Sequence, residues 1–201
     1  MPENGGNNTR RVSRGDFREA VTADRQANSS DPKMRMALYW FRVCQFAMGD
    51  LDNPRRASRP LVIAYRLLTE SMLGFELRPK TSVGPGLRIY HGFGLVVNDR
   101  ATIGSGVTLR NGVTIGHRRP GTPSPRIGNN VSIGANACVI GDITLGDGAQ
   151  VGAGAVVVHS IPPGRSAVGN PAGLITEKPM AAPNTFGQPA PSPGDEGPAV
   201  D

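Results

Sequence analysis

The side chains with the most chemical capability in this chain are its three histidines, His91, His117 and His159. His91 stands out by its setting. It lies in Ile89-Tyr-His-Gly-Phe-Gly94, where glycines let another group approach the backbone closely. A histidine is the commonest general base because it titrates near neutral pH; on spacing alone, the competing reading is a structural histidine beside Tyr90. His117 opens a polar, proline-rich stretch that ends at Arg126, and His159 stands near the end of the regular part of the sequence. The two cysteines, Cys44 and Cys138, lie in unrelated segments without metal-type spacing and read as buried free thiols.

The elements that must position these residues follow from a beat of six. Ile127, Ile133, Val139, Leu145, Val151 and Val157 fall at unbroken six-residue spacing, and the same beat runs earlier through Val97, Ile103, Leu109 and Ile115, with an irregular version at Val83 and Ile89. Six fits neither a 3.6-residue helix nor a two-residue alternation. It fits a short strand followed by a corner, with Gly and Asn supplying the backbone freedom that corners need. Three such sides close one triangular coil, and stacked coils bury a ladder of aliphatic side chains from positions one and five of each hexapeptide, so the fold class is mainly β, a parallel β-helix. Between Ile115 and Ile127 the beat breaks at residues 117–126, which must project as a loop; insertions in repeat proteins gather on the binding face.

Twenty-seven glycines and 5% aromatic residues in a chain of 201 suit a slim solenoid filled by aliphatic side chains. The net charge of +6 is concentrated at one end: residues 1–66 hold twelve Lys/Arg against seven Asp/Glu, and the remainder ten against nine. A basic arm of this kind can touch nucleic acid or an anionic membrane, but Asn, Ser, Gly and Asp interleave with its arginines, so residues 1–30 are read as a solvated, disordered arm with no nucleic-acid partner. Met1-Pro-Glu-Asn-Gly-Gly carries no secretory signal, and the expected compartment is the cytoplasm. Asp31-Pro32 and Ser58-Arg-Pro60 each resemble a helix start. Met34, Leu38, Phe41, Gln45 and Met48 follow the first at helical spacing, and Leu61, Ala64, Tyr65, Leu68 and Met72 follow the second. Residues 31–75 are therefore expected to form a short helical hairpin that caps the first coil or packs on a neighbouring subunit rather than lying on a membrane. The charges at Arg35, Arg42, Arg66 and Glu70 leave neither stretch apolar enough to cross a bilayer. Residues 76–175 form the β-helix, and 176–201, rich in Pro, Ala and Gly, a disordered tail.

Ile89-Tyr-His-Gly-Phe-Gly-Leu-Val-Val97, Gly112-Val-Thr-Ile-Gly116, Ile133-Gly-Ala-Asn-Ala137, Val151-Gly-Ala-Gly-Ala-Val156, and Ile161-Pro-Pro163 with Gly169-Asn-Pro-Ala172 together resemble the serine acetyltransferase family of hexapeptide acyltransferases. Tyr65-Arg-Leu-Leu-Thr-Glu70 and the run from His91 to Asn98 are similar to its exopolysaccharide (colanic-acid type) branch, and the likeness spans about residues 60–175. The resemblance implies a left-handed β-helix, an exception to the usual crossover hand, assembled as a homotrimer with active sites between subunits. It implies an O-acetyltransferase that moves acetyl from acetyl-CoA to a hydroxyl of a small acceptor, without a metal. Its catalytic histidine matches His91, and the carboxylate that orients it falls on Glu76, where the family usually has Asp. Its CoA-binding small residues match Gly116, Ala135, Gly152 and Ala153, although tight corners also demand small residues; Arg165 and Lys178 are the partners for CoA phosphates.

Two departures bear on the acceptor. The acid that the family carries before its catalytic histidine is Tyr90 here, and a second family histidine falls on Ser124. Both help to hold the amino acid in serine acetyltransferases, so L-serine is expected to be a poor acceptor and a sugar hydroxyl, lying against the flat Tyr90 ring, a better one, unless His117 or the arginines of its loop compensate. The sequence ends in Asp201 rather than the terminal Ile by which the family docks on cysteine synthase, so that partner is not expected. A single trimer is favoured over a pair of trimers because the helical region is short. The alternatives are a true serine O-acetyltransferase of cysteine biosynthesis, a zinc enzyme like the β-helical carbonic anhydrases using His91, His117 and His159, and a non-catalytic scaffold that recruits partners through its hairpin.

Overall fold

The computed structural model describes residues 11–175. The six-residue beat closes into a three-sided prism of parallel strands. The first face stacks β1 (Glu76–Leu77), β4 (Val96–Val97), β7 (Thr114–Gly116), β10 (Cys138–Ile140) and β13 (Val156–Val157). The second stacks β2 (Ser82–Val83), β5 (Thr102–Ile103), β8 (Arg126–Ile127) and β11 (Thr144–Leu145). The third stacks β3 (Arg88–Tyr90), β6 (Thr108–Arg110), β9 (Ser132–Ile133), β12 (Gln150–Val151) and β14 (Ser166–Val168), and is closed by the antiparallel β15 (Gly173–Leu174).

Register puts like on like. Leu77, Val97, Ile115, Val139 and Val157 form one inner column, and Ile89, Leu109, Ile133, Val151 and Ala167 another. All are buried, as are Val131, Ala137, Ala149 and Ala155 at the fifth positions of their hexapeptides. Each fully buried aliphatic side chain contributes about 1.5–3 kcal/mol. Cys44 is buried, and its thiol is pushed up to about 11 by desolvation. Cys138 departs from the expectation of a buried thiol. It is only partly buried, because a strand that turns Val139 inward turns its neighbours outward.

A stack of this kind has an open edge at its first coil, where backbone groups lack a strand to pair with. Three helices close it: α1 (Arg14–Ala27), α2 (Pro32–Met48) and α3 (Arg59–Arg66), the last continuing as a wider turn over Leu67–Met72. They do so with side chains. Asp24 Oδ1 accepts the N–H groups of Gly86 and Leu87, both at 2.9 Å. Arg42 donates to the carbonyls of Val83 and Gly84 at 2.7 Å and pairs with Asp24 at 2.8 Å. Asn28 donates to the Leu87 carbonyl and accepts from the Ile89 N–H, Gln45 donates to the Thr81 carbonyl, and the Tyr65 hydroxyl donates to the Leu77 carbonyl. Asp24, Asn28, Arg42 and Gln45 are all at most 4% exposed, so the edge is capped by a buried polar network rather than by water.

This overturns the expectation of a disordered arm over residues 1–30. From Ser13 onward the arm is ordered: Ser13 and Asp16 form a reciprocal capping box at the start of α1, and Phe17 packs on Phe46 of α2, ring centroids 5.1 Å apart. The helix buries only Ala20 and Asp24, so apolar periodicity has little to report, and its hold on the coil is polar. Residues 1–10 and the tail 176–201 lie outside the described residues. Asp31 caps α2 as expected, accepting from the Met34 N–H, whereas Ser58 donates its hydroxyl to the Arg55 carbonyl and caps no helix. Among the described residues no helix is long and apolar enough to cross a membrane.

Candidate active site

The prism has three corners, and the candidate residues divide among them. His91 leaves β3 on the third face, and the chain then enters β4 on the first. At this corner Ile89 and Val97 are eight residues apart, against six for Leu109 and Ile115, Ile133 and Val139, or Val151 and Val157. The two extra residues make a bulge, and His91 stands on it, exposed, with a φ of 50°. The left-handed region is strained for a residue with a side chain, by about 1–3 kcal/mol, and such strain gathers at functional sites. The bulge is seated from below. A Cβ at buried Gly92 would come within 3.1 Å of Ile89 Cγ2 and 3.3 Å of Met34 Sδ, so a side chain there would push Met34 of α2 away from the corner by a few tenths of an ångström.

Above His91 on the same corner rise Ala135, Gly152 and Ala153, linked by backbone bonds from Gly112 to Phe93, Asn136 to Asn111 and Gly154 to Ala135. Gly152 has a packing reason to be small, since a Cβ there would lie 2.7 Å from Val168 Cγ1. Gly116 has none: a Cβ there meets nothing within 4 Å. It sits on the next corner, between the first and second faces, together with His117 and Ser124. There Asn98 Nδ2 donates to His117 Nδ1 at 3.0 Å, while Asn98 Oδ1 accepts from the Ser124 hydroxyl at 3.0 Å and the Arg100 N–H at 2.9 Å. Because Nδ1 accepts, the neutral imidazole carries its proton on Nε2. Sequence reasoning quoted Asn98 only as the end of a motif and missed its role as the hub that joins His117 to Ser124. Arg126, in the same loop, is committed to Asp142 at 3.0 Å.

Two expectations need correction. Glu76 does not hydrogen-bond to His91. Glu76 and Arg78 flank the inward Leu77 and so share the outer face, and Arg78 Nε lies 2.8 Å from Glu76 Oε1. That N–H has no aligned acceptor, so the contact is an ion pair without a hydrogen bond, and the carboxylate keeps its accepting capacity. The Tyr90 ring is not a free platform for a sugar: the guanidinium carbons of Arg88 and Arg110 lie 4.3 and 4.9 Å from its centroid. Arg165 follows the proline turn between the second and third faces, away from the His91 corner, and donates to the Ile175 carbonyl at 3.2 Å. Lys178 lies outside the described residues. Among the described residues no three potential metal ligands come together; His91 and His117 occupy different corners, and His159 follows β13.

Residues 124–159 match the family model described as bacterial transferase hexapeptide (six repeats). Over 127 residues the chain is 42% identical to the provisionally assigned colanic acid biosynthesis acetyltransferase WcaB of Escherichia coli (strain K12), covering 60% of this chain and 77% of that protein. It is 41% identical over 112 residues to serine acetyltransferase of Helicobacter pylori (strain ATCC 700392 / 26695), covering 55% of this chain and 66% of that one. The solved soybean serine acetyltransferase apoenzyme superposes with a TM-score of 0.68 at 32% identity, over 80% of this chain and 69% of the soybean chain. The fold is thus the left-handed parallel β-helix, and the chain belongs to the serine acetyltransferase family of hexapeptide-repeat acyltransferases and is an acetyltransferase.

Proposed function

We propose that the enzyme transfers acetyl from acetyl-CoA directly to a hydroxyl of a small acceptor, with His91 as general base. The observation that carries this is the bulge: one exposed imidazole, held at positive φ on the only irregular turn of its corner among the described residues, at the foot of a column of small residues. The imidazole takes the hydroxyl proton as the acceptor oxygen attacks the thioester carbon. The C–O bond forms, the C–S bond breaks, and the proton passes from the imidazolium to the leaving sulfur. The column of Ala135, Gly152 and Ala153, with Gly116, is the wall along which CoA lies. Glu76, at the start of the coil that His91 ends, supports the imidazolium when its carboxylate turns from Arg78 to His91.

A homotrimer fits this reading. One prism holds His91 and the small-residue column on one corner and the Gly116, His117, Asn98 and Ser124 group on another, so the two halves meet only when a neighbour's corner faces the first. L-serine fits poorly, with Tyr90 and Ser124 where the family has an acid and a histidine.

His91→Ala is expected to lower acetyl transfer by about 10²–10⁴-fold, followed as free thiol release, with CoA binding unchanged. Turnover within a few-fold of the parent protein would exclude His91 as the base. Glu76→Gln is expected to lower kcat less than that. Light scattering on the purified protein is expected to give three chains per particle, and an active monomer would refute the shared site.

A further inference from the structure

We infer that Arg88 and Arg110, stacked on Tyr90, form an oxyanion site beside His91, and that the acceptor is therefore an acid: a hydroxyl compound bearing a carboxylate or a phosphate. The inference rests on His91 marking the acceptor site.

The geometry starts with strand alternation. Ile89 points inward, so Arg88 and Tyr90 both stand on the outer face of β3, and register places Arg110 of β6 directly beside Tyr90. The two guanidinium groups share one aromatic ring, at 4.3 and 4.9 Å. Neither has an ion-pair or hydrogen-bond partner among the described residues. Like charges set side by side on neighbouring strands repel, and exposed cation–π contacts return only about 0.5–1 kcal/mol each. Arg42, Arg66, Arg78 and Arg126, by contrast, each face a carboxylate. Two unneutralised forks held by one ring make a receptor for a planar or tetrahedral oxyanion, which takes paired N–H donors from each.

Position ties this receptor to the acceptor rather than to CoA. β3 is the edge strand of its face, and Tyr90 immediately precedes His91. Of the small residues assigned to CoA, Ala135, Gly152 and Ala153 climb the same corner in the opposite direction, away from the first coil. A hydroxyl compound that reaches His91 along the outer surface of the third face passes Arg88 and Arg110. L-serine could place its carboxylate on the same two cations, but its ammonium group would meet Tyr90 where the family has an acid, which agrees with poor use of L-serine.

The test is calorimetric titration of the full-length protein with D-glucuronate, D-glucose 1-phosphate, D-glucose and L-serine, paired with initial rates of acetyl transfer. At least one acidic sugar is expected to bind about tenfold or more tightly than D-glucose, and the Arg88→Met, Arg110→Met double variant is expected to lose that advantage while its KM for acetyl-CoA and its circular dichroism stay those of the parent. Binding of D-glucuronate alone assigns a carboxylate, and of D-glucose 1-phosphate alone a phosphate. The proposal is overturned if neither acid binds better than D-glucose, if the double variant binds the acids unchanged, or if it raises the KM for acetyl-CoA instead. His91→Ala separates the two readings: it should keep the acid binding and lose turnover, and if turnover survives, the base assignment fails while the oxyanion site stands.

Discussion

The solenoid and its helical cap are held by opposite means. Within the solenoid, aliphatic side chains stack on their own kind from coil to coil, and any coil could in principle rest on any other. Across the cap the contacts are polar and addressed: Asp24, Asn28, Arg42 and Gln45 each meet named backbone groups of the first coil. The repetitive contact sets how the chain stacks, and the addressed one sets where stacking begins. That start matters for chemistry, because α2 reaches the His91 bulge through Met34.

Substitutions can sharpen or break this contrast. Asp24→Ala should have the largest effect on stability, about 3–5 kcal/mol by urea unfolding, because it leaves Arg42 buried without a counter-charge and two N–H groups without an acceptor. A loss below about 1 kcal/mol would mean that water replaces the carboxylate and that the cap is not a sealed network. Ile133→Val, deep in the third-face ladder, should cost about 0.5–1.5 kcal/mol; because its neighbours are equivalent in kind, it should leave the rate of acetyl transfer per folded molecule unchanged. A matching loss of rate would show that the site senses the whole stack.

The smallest effect concerns the start of α1. The Asp16 carboxyl is lowered from its ordinary value, chiefly by the backbone N–H of Ser13 and then by the Ser13 side chain. A lowered carboxyl contributes stability that is fully present above the unfolded-state value and fades as pH falls through the folded one. Acidification below the ordinary carboxylate range should therefore loosen the helix slightly, as read by amide protection factors along α1, and Asp16→Asn should remove that dependence, whereas Ser13→Ala leaves the backbone N–H that chiefly lowers the carboxyl. Protection factors in α1 that stay constant with pH in the parent protein would leave the capping box without a measurable role.

The beat of six from Val97 to Val157 determined the faces, the inward positions and the projecting loop, because a repeated unit needs only its own sequence to define a coil. The eight-residue step from Ile89 to Val97 was equally readable and marks the bulge that carries His91. Ser13-Arg-Gly-Asp16 carried a capping signature as well, but a helix that buries one alanine and one aspartate shows almost no apolar period. Only the tertiary structure decided what that helix is for, since Asp24 and Asn28 acquire meaning from carbonyls and N–H groups some sixty positions away. It alone decided that two guanidinium groups pack against the Tyr90 ring and that Glu76 faces Arg78. Such contacts depend on which outward side chains the register brings abreast, and a period fixes inside and outside without fixing neighbours on the outer surface.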